Sequence, residues 1–245
     1  IIRLLLFELG VSPNVRDTQL SFPLHWAAEN GHVGVAKLLV EYGGADIYAL
    51  GRFSLTPLAA AGVNGHTTML QYLYSTIIAQ GQKNPVLEAR NTLHRVIHSG
   101  QIETFLLLLD AVQDVNIYMP VHTPLTLAAQ KGQVNIVEAL LTRGADLEKR
   151  TREFECTPLI SATRNGQERV ICLLLAAGAD PNAVDWQGCA ALHYAAEAGN
   201  EAVVRLLLAG NADASFRDGR NWKTPGEWAL ERGHQSVATM LFSSL

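Results

Sequence analysis

Side chains able to do chemistry are few and scattered along this sequence of 245 residues. A carboxylate and an imidazole can move protons near neutral pH, and Glu88, His98, His122 and Glu153 are the candidates for such a set. Metal binding by His98, His122 and Cys156 is a further alternative. The sequence has no Cys-x-x-Cys, His-Glu-x-x-His, Gly-x-Ser-x-Gly or phosphate-loop motif. We therefore expect a protein that is not an enzyme and that has no metal site and no cofactor.

Composition narrows the class of protein further. Apolar residues make up 48% of the sequence and charged residues 17%, which is typical of a folded chain rather than a disordered one. A net charge of −4 argues against a nucleic-acid binder held by phosphate contacts. No apolar run approaches the ~20 residues that a membrane span needs, and no membrane partner is expected. Three cysteines cannot build a disulfide scaffold, so we expect an intracellular location, cytoplasmic or nuclear.

One pattern recurs along the whole chain: Thr-Pro-Leu, a pair of small residues, Gly-His or Gly-Gln, an apolar stretch, then Gly-Ala-Asp. The clearest copies begin at Thr123 and Thr157. The proline place is filled in turn by Pro23, Pro57, Thr92, Pro124, Pro158, Ala191 and Pro225. The successive spacings are 34, 35, 32, 34, 33 and 34 residues. This register resembles the ankyrin-repeat family, whose period is about 33 residues.

The resemblance implies an all-α ankyrin-repeat solenoid of helix-turn-helix units with β-hairpin arms, a single domain over residues 1–245. Full repeats are expected to begin near Thr18, Gly51, Val86, Tyr118, Thr151, Asp185 and Gly219. Residues 1–17 match the second half of a repeat, which gives about seven and a half repeats. An apolar helix left uncovered at the start indicates a piece of a larger multidomain protein.

The repeated residues have local structural reasons. A proline at the first helical position loses no hydrogen bond, and a threonine just before it can cap the helix. Gly132 and its equivalents are placed to end the first helix in a left-handed conformation. The six histidines at repeat positions are expected to hydrogen-bond between repeats, as in the family. They are His25, His32, His66, His94, His193 and His234.

Residues 75–98 depart from the pattern. No Gly-Ala-Asp follows Tyr74, which predicts a longer second helix or an irregular hairpin. The next repeat has Thr92 in the proline place and Val96–Ile97 in place of an alanine pair. Bulkier residues there should push neighbouring helices apart and change the curvature locally. Repeat drift and a functional hinge are both compatible with this departure.

The cysteines are expected to be inert. Cys156 and Cys189 stand at the place of His122 in the next two repeats, about 10 Å apart by helix spacing. That is too far for a disulfide, which needs Cα atoms within ~7 Å. Cys172 falls inside an apolar helix and is predicted to be a small core residue.

The resemblance places the binding surface on the concave face, at the arms and the ends of the first helices. Large apolar side chains stand on the arms, where solvent would otherwise meet them, and such patches usually mark interaction sites. Trp26, Tyr194 and Trp228 either line the floor of this groove or pack between repeats. The candidate partner-binding residues are Phe53, Met119, His122, Phe154, Arg164, Trp186, Trp222 and Lys223.

These residues predict a monomeric scaffold that binds a partner protein or extended peptide. The charges expected on the groove are mixed and slightly positive, which favours a peptide of some acidic character. Two alternatives remain open at this point. One is a small-molecule-binding or catalytic repeat protein that uses the histidine and glutamate set. The other is a structural spacer that packs on other domains of the same chain.

Overall fold

A computed structural model describes residues 3–81 and 84–244 and divides them between two compact units. The first unit spans Ile1–Gln113 and the second Asp114–Leu245. The described residues of the first unit form α1 (Pro23–Glu29), α2 (Val33–Lys37), α3 (Pro57–Val63), α4 (Thr67–Gln80), α5 (Pro85–Ser99) and α6 (Ile102–Val112). Those of the second form α7 (Pro124–Lys131), α8 (Val134–Thr142), α9 (Pro158–Arg164), α10 (Glu168–Ala176), α11 (Ala191–Glu197), α12 (Glu201–Ala209), α13 (Pro225–Glu231) and α14 (Gln235–Phe242).

The helices form successive antiparallel pairs, which confirms the predicted helical repeat. In the first unit the first helices of each pair, α1, α3 and α5, pack on one another, and α4 packs on α6. In the second unit the same arrangement runs through α7, α9, α11 and α13, with α8, α10, α12 and α14 in a parallel row. Buried leucine, isoleucine, valine and alanine side chains fill the space between the two rows.

The threonine and proline of the repeat start the first helices as predicted. The side chains of Thr56, Thr123, Thr157 and Thr224 each accept a hydrogen bond from the backbone N–H three residues later, at 3.2–3.3 Å. The proline that follows each of them takes the first helical position. A cap of this kind is worth about 1 kcal/mol, so the sequence fixes each helix start by local interactions.

The third repeat differs from its prediction. The longer second helix predicted for the preceding repeat is confirmed, because α4 is 14 residues long and is followed by Gly81 as its C-cap. However, α5 is a 15-residue helix that begins at Pro85, so a repeat that starts near Val86 has a helix where an arm was expected before Thr92. The side chain of Asn84 accepts the backbone N–H groups of Val86 and Leu87 at 3.0 and 3.3 Å. This asparagine cap followed by proline starts the helix two turns before Thr92.

The segments before the first helices are tight turns closed by backbone hydrogen bonds. In the second unit the N–H of Asp185 donates to the carbonyl of Cys189 at 3.1 Å, and successive turns are linked by Gly219 N–H to Gln187 O at 3.0 Å. A Cβ at Gly188 would lie 2.7 Å from the Gly219 nitrogen, which requires glycine at this crossing. Residues 3–81 and 84–244 contain isolated bridge pairs but no β-strand, so β-hairpin arms and the exact repeat number stay predictions. No helix in these ranges is long and apolar enough to cross a membrane.

Candidate partner-binding groove

Histidines of the repeat hold neighbouring helix pairs together. The Nε2 atoms of four of them lie within 2.8–3.2 Å of carbonyl oxygens one repeat away. The pairs are His25 with Leu55, His66 with Glu29, His193 with Lys223 and His234 with Glu197. Burial lowers the pKa of His25 and His193, which keeps both rings neutral near pH 7. The predicted structural role is confirmed for these four residues.

An aspartate at the start of three turns anchors an aromatic residue of the following helix. In the second unit, Asp185 accepts the backbone N–H groups of Gln187 and Cys189 at 2.9 and 3.1 Å. Its other oxygen accepts the Tyr194 hydroxyl. We call this arrangement the aspartate–aromatic clip. Equivalent clips join Asp218 to Trp228 and Asp17 to Trp26, each with an indole N–H donated at 2.7 Å.

The clips hold the polar edges of the three aromatic residues that the sequence placed either on the groove floor or between repeats. Tyr194 and Trp228 are only partly buried, and their rings meet edge to face at a centroid distance of 6.2 Å. Trp26 remains 40% exposed. The polar edges are therefore tied to the turns, while the ring surfaces contribute to a solvent-facing floor.

Most of the predicted contact residues at the turns are exposed. The exposed fractions are 70% for Phe53, 43% for Phe154, 50% for Trp186 and 71% for Trp222. Met119 is the exception, because it is fully buried and the expectation of an exposed tip is wrong. Its backbone exchanges hydrogen bonds of 2.7 and 2.8 Å with His122, and this narrow bridge places the methionine side chain inside the fold.

Phe154 and Trp186, two exposed aromatic residues of the second unit, border one cavity of about 620 Å³, whereas Trp222 does not line it. We call it the aromatic groove, and its principal lining residues are Phe154, Arg164, Trp186, Tyr194, Arg220 and Trp228. A neighbouring cavity of about 350 Å³ shares Phe154 and Arg164 and adds His122 and Glu153. The candidate residues His122, Phe154, Arg164 and Trp186 are thus brought together along one surface of the second unit.

Charged groups in the aromatic groove are held in defined positions. The guanidinium of Arg220 lies 5.0 Å from the ring centre of Trp186, and that of Arg164 lies 4.9 Å from the ring centre of Tyr194. At the rim, Lys223 pairs with Glu231 and Arg232 pairs with Glu197. Arg220 was not among the sequence candidates, although it stands two residues after Asp218 just as Gln187 follows Asp185.

The set proposed for acid–base chemistry is divided between the units. Glu88 and His98 lie in the first unit, and His122 and Glu153 lie in the second. Burial and the charge of Lys131 lower the pKa of His122, while Glu153 acts in the opposite direction. In the part of the chain that the structure describes, no group of three or more histidine, cysteine or acidic residues could hold a metal ion.

The cysteines differ in their surroundings. Cys156 and Cys189 are buried, and burial raises the pKa of both thiols, that of Cys189 to about 12. Neither is therefore a thiolate near pH 7. Cys172 is exposed on α10, so its predicted place in the core is wrong. The core side of α10 is taken by Val170, Ile171 and Leu174, and the helical period places Cys172 on the opposite, exposed side.

The family is decided by a comparison with family models. A model described as ankyrin repeats in three copies matches residues 1–84, 24–119, 93–185 and 159–244. The chain belongs to the ankyrin-repeat family. Ankyrin repeats are generally protein-interaction modules and are typically non-catalytic.

Several longer ankyrin-repeat proteins align with part of the chain. It is 30% identical over 150 residues to Rabankyrin-5 of Mus musculus, covering 60% of this chain and 13% of that protein. It is 30% identical over 151 residues to the ankyrin repeat and KH domain-containing protein mask-1 of Caenorhabditis elegans, covering 61% and 5%. It is 44% identical over 87 residues to the potassium channel KOR1 of Oryza sativa subsp. japonica, covering 35% and 10%. The chain thus spans a small part of the length of these relatives.

Proposed function

We propose that this chain binds a partner protein or an extended peptide, and that the aromatic groove of the second unit is the contact surface. The observation that carries the proposal is the grouping of Phe154, Trp186, Tyr194 and Trp228 around one cavity. Aromatic residues and arginine contribute most of the binding energy at many interfaces. The groove runs along the turns and first helices, where the expected concave face of an ankyrin solenoid of about seven and a half repeats with β-hairpin arms would lie.

Backbone strain at two exposed aromatic residues supports a binding role. Trp222 has φ of 60° and Phe53 has φ of 57°, a left-handed conformation that bulky side chains rarely adopt. Glycine or asparagine would suit these turns better for folding alone. An aromatic side chain that is costly for the turn and exposed to solvent is more easily explained by contact with a partner. The other candidate, Lys223, would act at the rim beside Glu231.

The groove and the exposed Trp222 of the last turn can be tested together with a triple variant, Phe154→Ala, Trp186→Ala and Trp222→Ala. We expect at least a tenfold loss of the proteins captured from a lysate of the source cells, because about 1–2 kcal/mol is lost at each anchor that a partner covers. The matched control is Tyr42→Ala, which removes a 60% exposed aromatic residue of the first unit. Circular dichroism must show that both proteins keep their helices. Equal capture by the folded triple variant and the wild type would refute the assignment of this surface.

A single substitution separates binding from folding more sharply. Trp222→Asn keeps a residue that tolerates the left-handed conformation, so the free energy of unfolding should not fall. Binding should weaken, because the exposed indole is lost. A Trp222→Asn protein that is less stable than the wild type but binds as well would show that the indole serves the fold.

A further inference from the structure

The charges of the aromatic groove indicate what kind of side chain it accepts. Two cations at its rim already have carboxylate partners, since Lys223 pairs with Glu231 and Arg232 with Glu197. Arg164 and Arg220 form no ion pair with any residue that the structure describes. Both line the same cavity of about 620 Å³. The cavity therefore holds two guanidinium groups whose hydrogen-bonding capacity is not used by an acidic residue of the chain.

Within the chain, the Arg164 guanidinium contacts Tyr194 and Cys156, and these contacts could account for its position without a ligand. Its Nη1 atom lies 3.6 Å from the Cys156 sulfur, which is a weak acceptor, and its guanidinium stacks over the Tyr194 ring. Asp185 attracts Arg164 through space. However, the oxygens of Asp185 are already occupied by the backbone N–H groups and the hydroxyl of the clip. Most of the in-plane donors of Arg164 thus remain available.

Stacking prepares both arginines to bind an anion. A guanidinium that rests on an aromatic ring loses less conformational freedom when it binds, and its edge still presents several N–H donors. Arg220 on Trp186 and Arg164 on Tyr194 are each held in this way. The Trp186 ring is itself positioned by its turn, where its backbone N–H donates to the Phe154 carbonyl at 3.4 Å. The cationic and apolar parts of the groove are therefore built from neighbouring turns.

We propose that Arg164 and Arg220 bind the carboxylate of one aspartate or glutamate in an extended partner peptide, with an adjacent apolar side chain against Phe154 and Trp186. The inference rests on the proposed function and names the chemistry of the partner. A carboxylate fits better than a phosphate, because Glu197 and Glu231 line the same cavity and would repel a dianion more strongly. The two guanidiniums more than balance the single charge of a carboxylate, so no further cation is needed.

The test uses a phage-displayed library of random peptides selected against the whole chain. Selected peptides should carry aspartate or glutamate at one fixed position beside an aromatic or aliphatic residue. For a synthetic peptide of that sequence, Arg164→Gln and Arg220→Gln should each weaken binding about tenfold, since a charge-assisted hydrogen bond is lost. The matched control is Arg169→Gln, an exposed arginine on α10 that does not line the groove, and it should leave the affinity unchanged. A peptide with lysine in the acidic position should bind Arg220→Glu more tightly than it binds the wild type.

The experiment distinguishes a failure of the proposed carboxylate site from a failure of the proposed function. Peptides whose binding is lost in the Phe154, Trp186 and Trp222 triple variant but kept in both glutamine variants would refute the carboxylate subsite and leave the proposed function standing. Peptides that depend on none of these residues would overturn both. If phosphoserine in the acidic position binds more tightly than glutamate, the site is a phosphate site and the assignment of a carboxylate is wrong.

Discussion

The aspartate–aromatic clip at Asp185 should be a major source of stability in the second unit. Asp185→Ala removes the acceptor of three hydrogen bonds, from the N–H groups of Gln187 and Cys189 and from the Tyr194 hydroxyl. The aspartate is 4% exposed and Cys189 is fully buried, so water cannot replace every lost acceptor. An unsatisfied buried donor costs about 1–3 kcal/mol. With the Cys189 donor buried and the other two donors partly buried, we expect a loss of about 3 kcal/mol in the free energy of unfolding.

Urea unfolding followed by circular dichroism measures this loss, and two further variants divide it into parts. Tyr194→Phe removes only the hydroxyl donor and should cost about 1 kcal/mol, as expected for one hydrogen bond. Asp17→Ala breaks the equivalent clip at an exposed aspartate, where water can reach the freed Gln19 N–H and Trp26 indole, and should cost less than Asp185→Ala. If Asp185→Ala and Asp17→Ala destabilise the protein equally, burial is not what gives the clip its strength and the reasoning fails.

Two further predictions concern the core and pH. Phe105→Ala, at a fully buried position of α6, should lower the free energy of unfolding by about 3–5 kcal/mol in urea titrations, and a loss below 1 kcal/mol would contradict the packing described for the first unit. Burial lowers the pKa of His193 below its ordinary 6.5, so the unfolded chain binds a proton at a higher pH than the folded chain does. The contribution of neutral His193 to the free energy of unfolding should therefore be complete above about pH 6.5 and decline below it. Urea midpoints measured across this range should decline less in His193→Gln, and an identical decline would exclude His193 as a source.

Local interactions explain why most of the fold could be predicted from the sequence. Thr157 and Pro158 start their helix by capping and by a fixed φ, which neighbouring residues alone determine. The regular spacing of the repeats then shows which residues of successive repeats are equivalent. The prediction failed in the third repeat because Thr92 was aligned with the proline place, whereas Asn84 and Pro85 provide an equally local start signal earlier in the chain.

The groove was harder to predict because exposure depends on the path of each turn. Phe154 and Met119 occupy similar arms in the sequence, yet Met119 is buried in a turn closed on His122, and Phe154 is exposed in a wider turn closed between Thr151 and Cys156. The stacking of Arg220 on Trp186 joins residues of two successive repeats. A pattern within one repeat carries no information about such a contact. The family resemblance indicated the region of the groove, and only the coordinates indicate which side chains share it.

Backbone hydrogen bonds link successive turns in the second unit. Gly219 donates to Gln187, and Trp186 donates to Phe154, without help from the side chains at the tips. The framework and the exposed side chains at the tips can therefore change independently during evolution. Libraries that randomise Phe154, Trp186 and Trp222 while keeping Gly188 and Gly219 would alter recognition without altering the spacing between repeats.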